Sequence, residues 1–252
     1  MDVQQWFGAA QQVLFVHAHP DDETIATGGV LAALAAERRE PAVITLTRGE
    51  RGEVGPAELA HLQGSAELGG YRAEERRRAL AVLGVQRSGF LGSDPVRAVG
   101  LDPREYLDSG MEWAEDGFAA PAPDAGPQSL SAAPVIDLIA DLIAAVAVWE
   151  IDAIVSYDAL GGYRHPDHVR AHQLARAVAR GVQIPFWEIV TDRTPGVDPE
   201  RVEHYDIVPW LEQKRTALGE YATQLSVEGN DMVHVGGQRQ PIDTVERFQR
   251  LD

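Results

Sequence analysis

Along this chain, short continuous apolar runs alternate with longer stretches in which apolar positions recur every three or four residues. Val13-Leu14-Phe15-Val16 opens the series, followed by Ala42-Val43-Ile44 and Ala153-Ile154-Val155. An uninterrupted apolar run of four to six residues is the signature of a strand buried on both faces, as in parallel sheets. The pattern predicts strands over 12–17, 42–47, 89–91, 151–157 and 184–190. Helices are predicted from 23 to about 39, from 71 to 83, over 133–149, from 169 to 180 and from Pro209 to about Tyr221. The first crossover, about twenty residues long, is the length a parallel βαβ unit needs. Pro185 inside the fifth run predicts an edge strand or a bulge. Residues 92–131 are irregular and dense in Gly, Pro, Asp and Ala, and 119–126 reads as flexible filler. The region past 222 is poorly patterned and predicts a closing hairpin. No composition break divides the chain, which is expected to form one α/β domain over 1–252. Within it, 92–131 would be a loop beside the ligand and 200–252 a small C-terminal extension.

Composition narrows the function classes. The chain has 252 residues and 44% hydrophobic content, which is ordinary for a soluble domain with a sizeable core. A formal net charge of -17 argues against nucleic acid or an anionic membrane as partner. Cysteine is absent, which excludes disulfides, thiol nucleophiles and Cys-ligated zinc. The start, Met1-Asp2-Val3-Gln4-Gln5-Trp6, lacks the basic and apolar regions of a signal peptide, and a cytoplasmic location is expected. The most apolar helix, 133–149, carries Asp137 and Asp141. Those acids argue against a membrane span and predict a solvated face.

The candidate chemistry lies where strands end. The first apolar run breaks into His17-Ala18-His19-Pro20-Asp21-Asp22-Glu23, and the run at 153–157 is followed by Tyr163-Arg164-His165-Pro166-Asp167-His168. Both read as strand, turn with His-Pro-Asp, then helix, with proline suited to the first helical turn. The C-terminal edge of a parallel sheet is where α/β folds place ligands. A catalytic zinc takes about three protein ligands and keeps one position open. His19, Asp22 and His168 supply that set. His17 shares a strand face with His19 and is expected to hold a carboxylate behind the metal. His172 is expected to be buried, and His61, His204 and His234 have no partner pattern. Gly28-Gly29 predicts close packing of the first helix on the sheet. The loop 48–56 is not a phosphate-binding loop, because no Gly-Lys-Ser/Thr follows. It is either a surface turn or a wall of the site. In the helix from Tyr71 the mixed charges predict a solvated face, with Arg72 at the loop end as a candidate for a polar ligand. Tyr106, Asp108, Ser109, Met111 and Trp113 place polar groups among aromatics, a composition suited to a sugar-sized ligand.

Ala18-His19-Pro20-Asp21-Asp22-Glu23 together with His165-Pro166-Asp167-His168 resembles the PIG-L/LmbE-type zinc-dependent N-deacetylases. Thr47-Arg48-Gly49-Glu50, Leu68-Gly69-Gly70-Tyr71-Arg72, Asp108-Ser109-Gly110-Met111 and Gly161-Gly162-Tyr163 extend the similarity. They point to the actinobacterial branch that includes the mycothiol-pathway N-acetylglucosaminyl-inositol deacetylase and the mycothiol-conjugate amidase. The resemblance covers about residues 12–225. It implies a Rossmann-like, mostly parallel sheet flanked by helices. The implied ligands to zinc, with ferrous iron as the alternative, are His19, Asp22 and His168, and Asp21 is the implied general base. Tyr163 and His165 would stabilise the oxyanion, with His165 also a general-acid candidate, and Asp167 would orient His165. Arg72 and Asp108 would contact the sugar. The expected activity is hydrolysis of an N-acetyl group on a small amino sugar or its conjugate. The rival expectations are an amidase acting on a thiol conjugate and a sugar-binding protein without turnover. Homo-oligomerisation is left open.

Overall fold

The computed structural model describes residues 2–251. The five predicted strands form, in order, β1 (Val13–His17), β2 (Ala42–Thr45), β3 (Arg87–Phe90), β6 (Ala153–Ser156) and β7 (Phe186–Ile189). All pair in parallel, in the spatial order β3-β2-β1-β6-β7. Every residue of β1, β2, β6 and β7 is buried, which is why their sequences run largely apolar without alternation. Between them lie the helices α1 (Asp22–Ala36), α2 (Leu68–Leu83), α3 (Val135–Val148), α4 (Gly161–Arg164) and α5 (Pro166–Val182).

Alternation along the strands sends side chains into two cores. Val13, Phe15, Val43, Val155 and Trp187 meet α1, α2 and the later helix α6 (Leu211–Leu218) on one face. Leu14, Val16, Ile44, Ile154 and Phe186 meet α3 and α5 on the other. The chain winds outward from β1 to β2 and β3, then returns to build β6 and β7 on β1's other side. The reversal between β1 and β6 opens a crevice at their C-terminal ends. The His19 and His165 clusters follow those two strands.

Several local expectations are corrected. The tail is more than a closing hairpin. β8 (Val202–Asp206) and β12 (Val245–Leu251) extend the sheet beyond β7, with β12 antiparallel to both neighbours. A separate antiparallel meander is made by β9 (Leu225–Glu228), β10 (Asp231–His234) and β11 (Arg239–Pro241). β7 is therefore an interior strand, and Pro185 stands just before it, where its carbonyl accepts from Ile154 N. Within 92–131, β4 (Met111–Trp113) pairs with β5 (Ala119–Pro121), so part of the expected filler is a hairpin arm. Asp141 on α3 faces inward and takes bonds from Arg97, Ala98 N and the Tyr106 hydroxyl. On α2 the solvated face holds Glu74 and Arg77, while Glu75 and Arg76 are buried. Arg76 reaches Thr45 Oγ1 and the carbonyls of Val43 and Gly89, and Glu75 accepts from Thr223.

Gly28-Gly29 does allow a close approach, but to the C-terminal elements. A Cβ on Gly29 would lie 2.5 Å from Ile207 Cβ, and one on Gly28 3.2 Å from Lys214 Cγ. There the Glu246 carboxylate accepts from Gly29 N and Val30 N and pairs with Lys214 at 2.8 Å, entirely inside the protein. Among the described residues no helix is long and apolar enough to cross a membrane.

Candidate metal centre and active site

Two helix starts converge on the crevice. After β1 the chain turns through Pro20 and Asp21, and α1 begins at Asp22. Asp21 has φ 105°, a conformation that costs a non-glycine residue energy and recurs at functional turns. After β6 a turn through Gly161 and Gly162 leads to Pro166 at the start of α5. Gly161 has φ 60°, and a Cβ there would lie 2.6 Å from His168 Cβ, so the turn packs directly on that histidine.

The two turns bring the expected ligands together. Asp22 Oδ2 lies 3.2 Å from His19 Nδ1 and 3.3 Å from His168 Nε2. His168 Nε2 is buried and has no aligned hydrogen-bond partner, although Asp22 is so near. A buried, orphaned imidazole nitrogen beside a carboxylate and a second imidazole fits a divalent cation. Tyr157 packs flat against the His168 ring at 4.1 Å and fixes its plane. The sequence marked Tyr157 only as part of a strand. Two further groupings bring possible ligand atoms within 4.8 Å of one another: His19 with His165 and His168, and His19 with Asp108 and Asp167.

The surrounding residues form a polar shell. Asp167 Oδ2 lies 3.3 Å from His19 Nε2 and accepts from Ser109 N at 2.9 Å, while Ser109 Oγ donates to Oδ1. It is the main-chain N of Asp167, at 3.2 Å, that donates to His165 Nδ1. That bond leaves the His165 proton on Nε2. The Asp167 carboxylate is thus turned to His19 and Ser109, and the His165 ring is oriented by backbone. The rings of His165 and Tyr163 stand 4.9 and 5.2 Å from that of His168. Asp108 Oδ1 is 3.7 Å from His19 Nε2 and accepts from Gly110 N. Glu50 in turn accepts from Asp108 N and, with Asp108, lines a cavity of about 320 Å³.

Electrostatics separates the two adjacent acids. Burial and then the Asp22 carboxylate hold the Asp21 carboxyl well above the usual range. Asp22 is lowered, because His168 and His19 outweigh its own burial. Burial disfavours the charged His19 ring, but Asp108, Asp167 and Asp22 reverse this and raise it. His165 is lowered by burial and by its histidine neighbours, and burial raises the Tyr163 phenol.

Other candidates lie elsewhere. Arg72 is buried, donating to the carbonyls of Gly49 and Glu53, so it braces the loop 48–56 while its charge acts on Asp21. His17 meets Thr27 Oγ1 at 3.2 Å and no carboxylate, and burial lowers it to about 3. His172 is buried against the Tyr157 carbonyl. Tyr106 is spent on Asp141 and leaves the ligand side.

Comparison with known proteins agrees with this geometry. The family model "PIG-L: GlcNAc-PI de-N-acetylase" matches residues 14–179. A 1D-myo-inositol 2-acetamido-2-deoxy-alpha-D-glucopyranoside deacetylase of Saccharopolyspora erythraea is 41% identical over 87% of this chain and 79% of its own. The same-named protein of Thermobifida fusca is 35% identical over 96% and 93%. That of a Nocardioides species is 40% identical over 70% of this chain, a stretch spanning 56% of the relative. Among solved structures, a teicoplanin-pathway deacetylase complex superposes with TM-score 0.62 at 18% identity, over 96% of this chain and 99% of the other. The 4-carboxy-2-hydroxymuconate hydratase of Pseudomonas putida does so with TM-score 0.57 at 19% identity, covering 96% of each chain, so the fold carries more than one chemistry. Motif, site and relatives converge, and the chain belongs to the PIG-L family of GlcNAc-PI de-N-acetylases.

Proposed function

We propose that this protein is a metal-dependent hydrolase that removes the N-acetyl group from an N-acetylglucosamine-type sugar or its small conjugate. The observation carrying the reading is the orphaned His168 Nε2 facing Asp22 Oδ2 and the His19 ring, with the Asp21 carboxyl adjacent. His19, Asp22 and His168 would hold the ion, zinc or ferrous iron. Bound there, it supplies Lewis acidity toward a carbonyl and lowers the pKa of water from about 15.7 to about 7.

The chain's own groups then have distinct tasks. Asp21 takes a proton from the water that attacks the acetyl carbon. Tyr163 and His165 flank the cluster and donate to the acetyl oxygen as charge develops on it. His165 is held as an Nε2–H donor by the bond from Asp167 N to its Nδ1. The C–N bond breaks as the nitrogen receives the proton that Asp21 took from water, giving acetate and a free amine, while the neutral His165 ring keeps its Nε2–H as a hydrogen-bond donor. Arg72 and Asp108 border the sugar side, Arg72 through the loop it braces. The deacetylase names of the relatives support the same substrate class.

The test separates base from ligand. Asp21→Asn should lower acetate release by about 10²- to 10⁴-fold with metal content intact. His168→Ala should lose the metal, measured by elemental analysis after gel filtration. Near-normal turnover by Asp21→Asn refutes the assignment. Chelation followed by re-addition of zinc or ferrous iron identifies the working ion.

A further inference from the structure

The aromatic wall of the site continues outward past the last residue its reaction uses. Tyr163 faces the His168 and His165 rings, and outside it stands Trp113, its ring centre 5.7 Å away and tilted by 33°. Trp113 is 60% exposed, an unusual cost for the largest apolar side chain in a chain with five tryptophans. It sits on β4, on the same strand face as Met111. Two residues before Met111 is Ser109, which holds Asp167, so the wall runs from the cluster outward along one short segment.

The hairpin is anchored to the catalytic turn. Arg164, between Tyr163 and His165, pairs with Asp116 at 3.2 Å and lies 4.1 Å over the Phe118 ring. Arg193 also lies over Phe118, and Arg51 pairs with Asp124 beyond the second arm. These ties hold the indole at the mouth of the crevice with a face turned to solvent. Aromatic faces of this kind bind amphipathic rings, whose apolar C–H face stacks while the hydroxyls stay wet.

We propose that Trp113 is a specificity residue: it forms an outer subsite that stacks a second ring joined to the N-acetyl amino sugar. The substrate is then a two-ring conjugate, and a lone amino sugar fills only the inner half of the site. The proposal rests on the deacetylase reading for the inner half.

The experiment compares N-acetylglucosamine with N,N'-diacetylchitobiose and N-acetylglucosaminyl-inositol in the metal-loaded protein. Trp113→Ala should lower kcat/KM on a two-ring substrate by about tenfold, through KM with kcat held, the scale of one aromatic contact. It should leave N-acetylglucosamine unchanged, and Trp113→Phe should restore most of the loss. Equal losses on one-ring and two-ring substrates, or none on either two-ring compound, overturn the proposal. Binding of the corresponding deacetylated two-ring amines is followed in parallel by calorimetry. If the protein turns over no substrate yet binds these amines in a Trp113-dependent way, the outer subsite stands and the reaction assigned to the inner half falls. If binding is absent or independent of Trp113, the subsite falls.

Discussion

Gly161 shows how tightly a single position can govern the proposed metal centre. It combines φ 60° with direct packing on His168, so a methyl group there clashes with that residue's own Cβ. Gly161→Ala should displace the His168 ring and weaken metal affinity by roughly 10- to 100-fold, the range for disturbed ligand supports. Titration against a chromophoric chelator measures this directly, and unchanged affinity would show that the turn can yield. At this scale much of the site was legible beforehand. Two His-Pro-Asp turns after apolar strands are rare enough to single out His19, Asp22 and His168, which the fold brings within 3.3 Å of a shared carboxylate oxygen. Ser109 and Tyr157 were harder to assign because their roles depend on contacts 58 residues away and on ring stacking. His17 was misjudged, and the bonds of Arg72 to the Gly49 and Glu53 carbonyls were hidden, for the same reason: sequence shows a polar residue near the site but not which carbonyl or hydroxyl it meets.

At the scale of elements, the periodic helices and buried strands were read within a few residues, because burial on both faces leaves a strong signal. Charge placement was less legible. Asp141 was expected on a wet face, yet it binds Arg97, Ala98 N and Tyr106 at 2.8 to 3.0 Å inside the protein. An acid four residues from another acid looks solvated until a long loop folds an arginine onto it. Asp141→Ala leaves Arg97 unpaired and two donors unsatisfied, and should destabilise by about 3 kcal/mol. Urea melts would show the loss, and limited proteolysis should nick the 96–106 segment first. A melt within about 0.5 kcal/mol of the parent would mean that the network is marginal.

On the scale of the molecule, the surprise is the C-terminal part. Its strands mix polar and apolar residues without a clean period, so they carried little pattern, yet β12 lies between β7 and β8 within the main sheet. This also creates a pH-dependent strain. Glu188 on β7 is buried and raised to about 7, first by burial and then by Asp158. Unfolded, it ionises near its ordinary value of 4.5. Between those values the folded state holds a proton that the unfolded state has lost, so stability falls as pH rises from 4.5 to about 7 and then levels. The full cost is on the order of 3 kcal/mol, and Glu188→Gln should flatten that limb of the stability curve. An identical slope in the variant would assign the effect to other groups.

The two helices that begin at the cluster have a consequence for the order in which products depart. Both α1 and α5 direct their amino ends toward it, and such ends favour anions. The proposed amide hydrolysis releases one cation and one anion. In that reaction the helix ends would push the ammonium product outward and hold acetate. Acetate should therefore leave last and inhibit competitively against the substrate, with the amine noncompetitive. Added acetate at rising ionic strength would read out how far that retention is electrostatic.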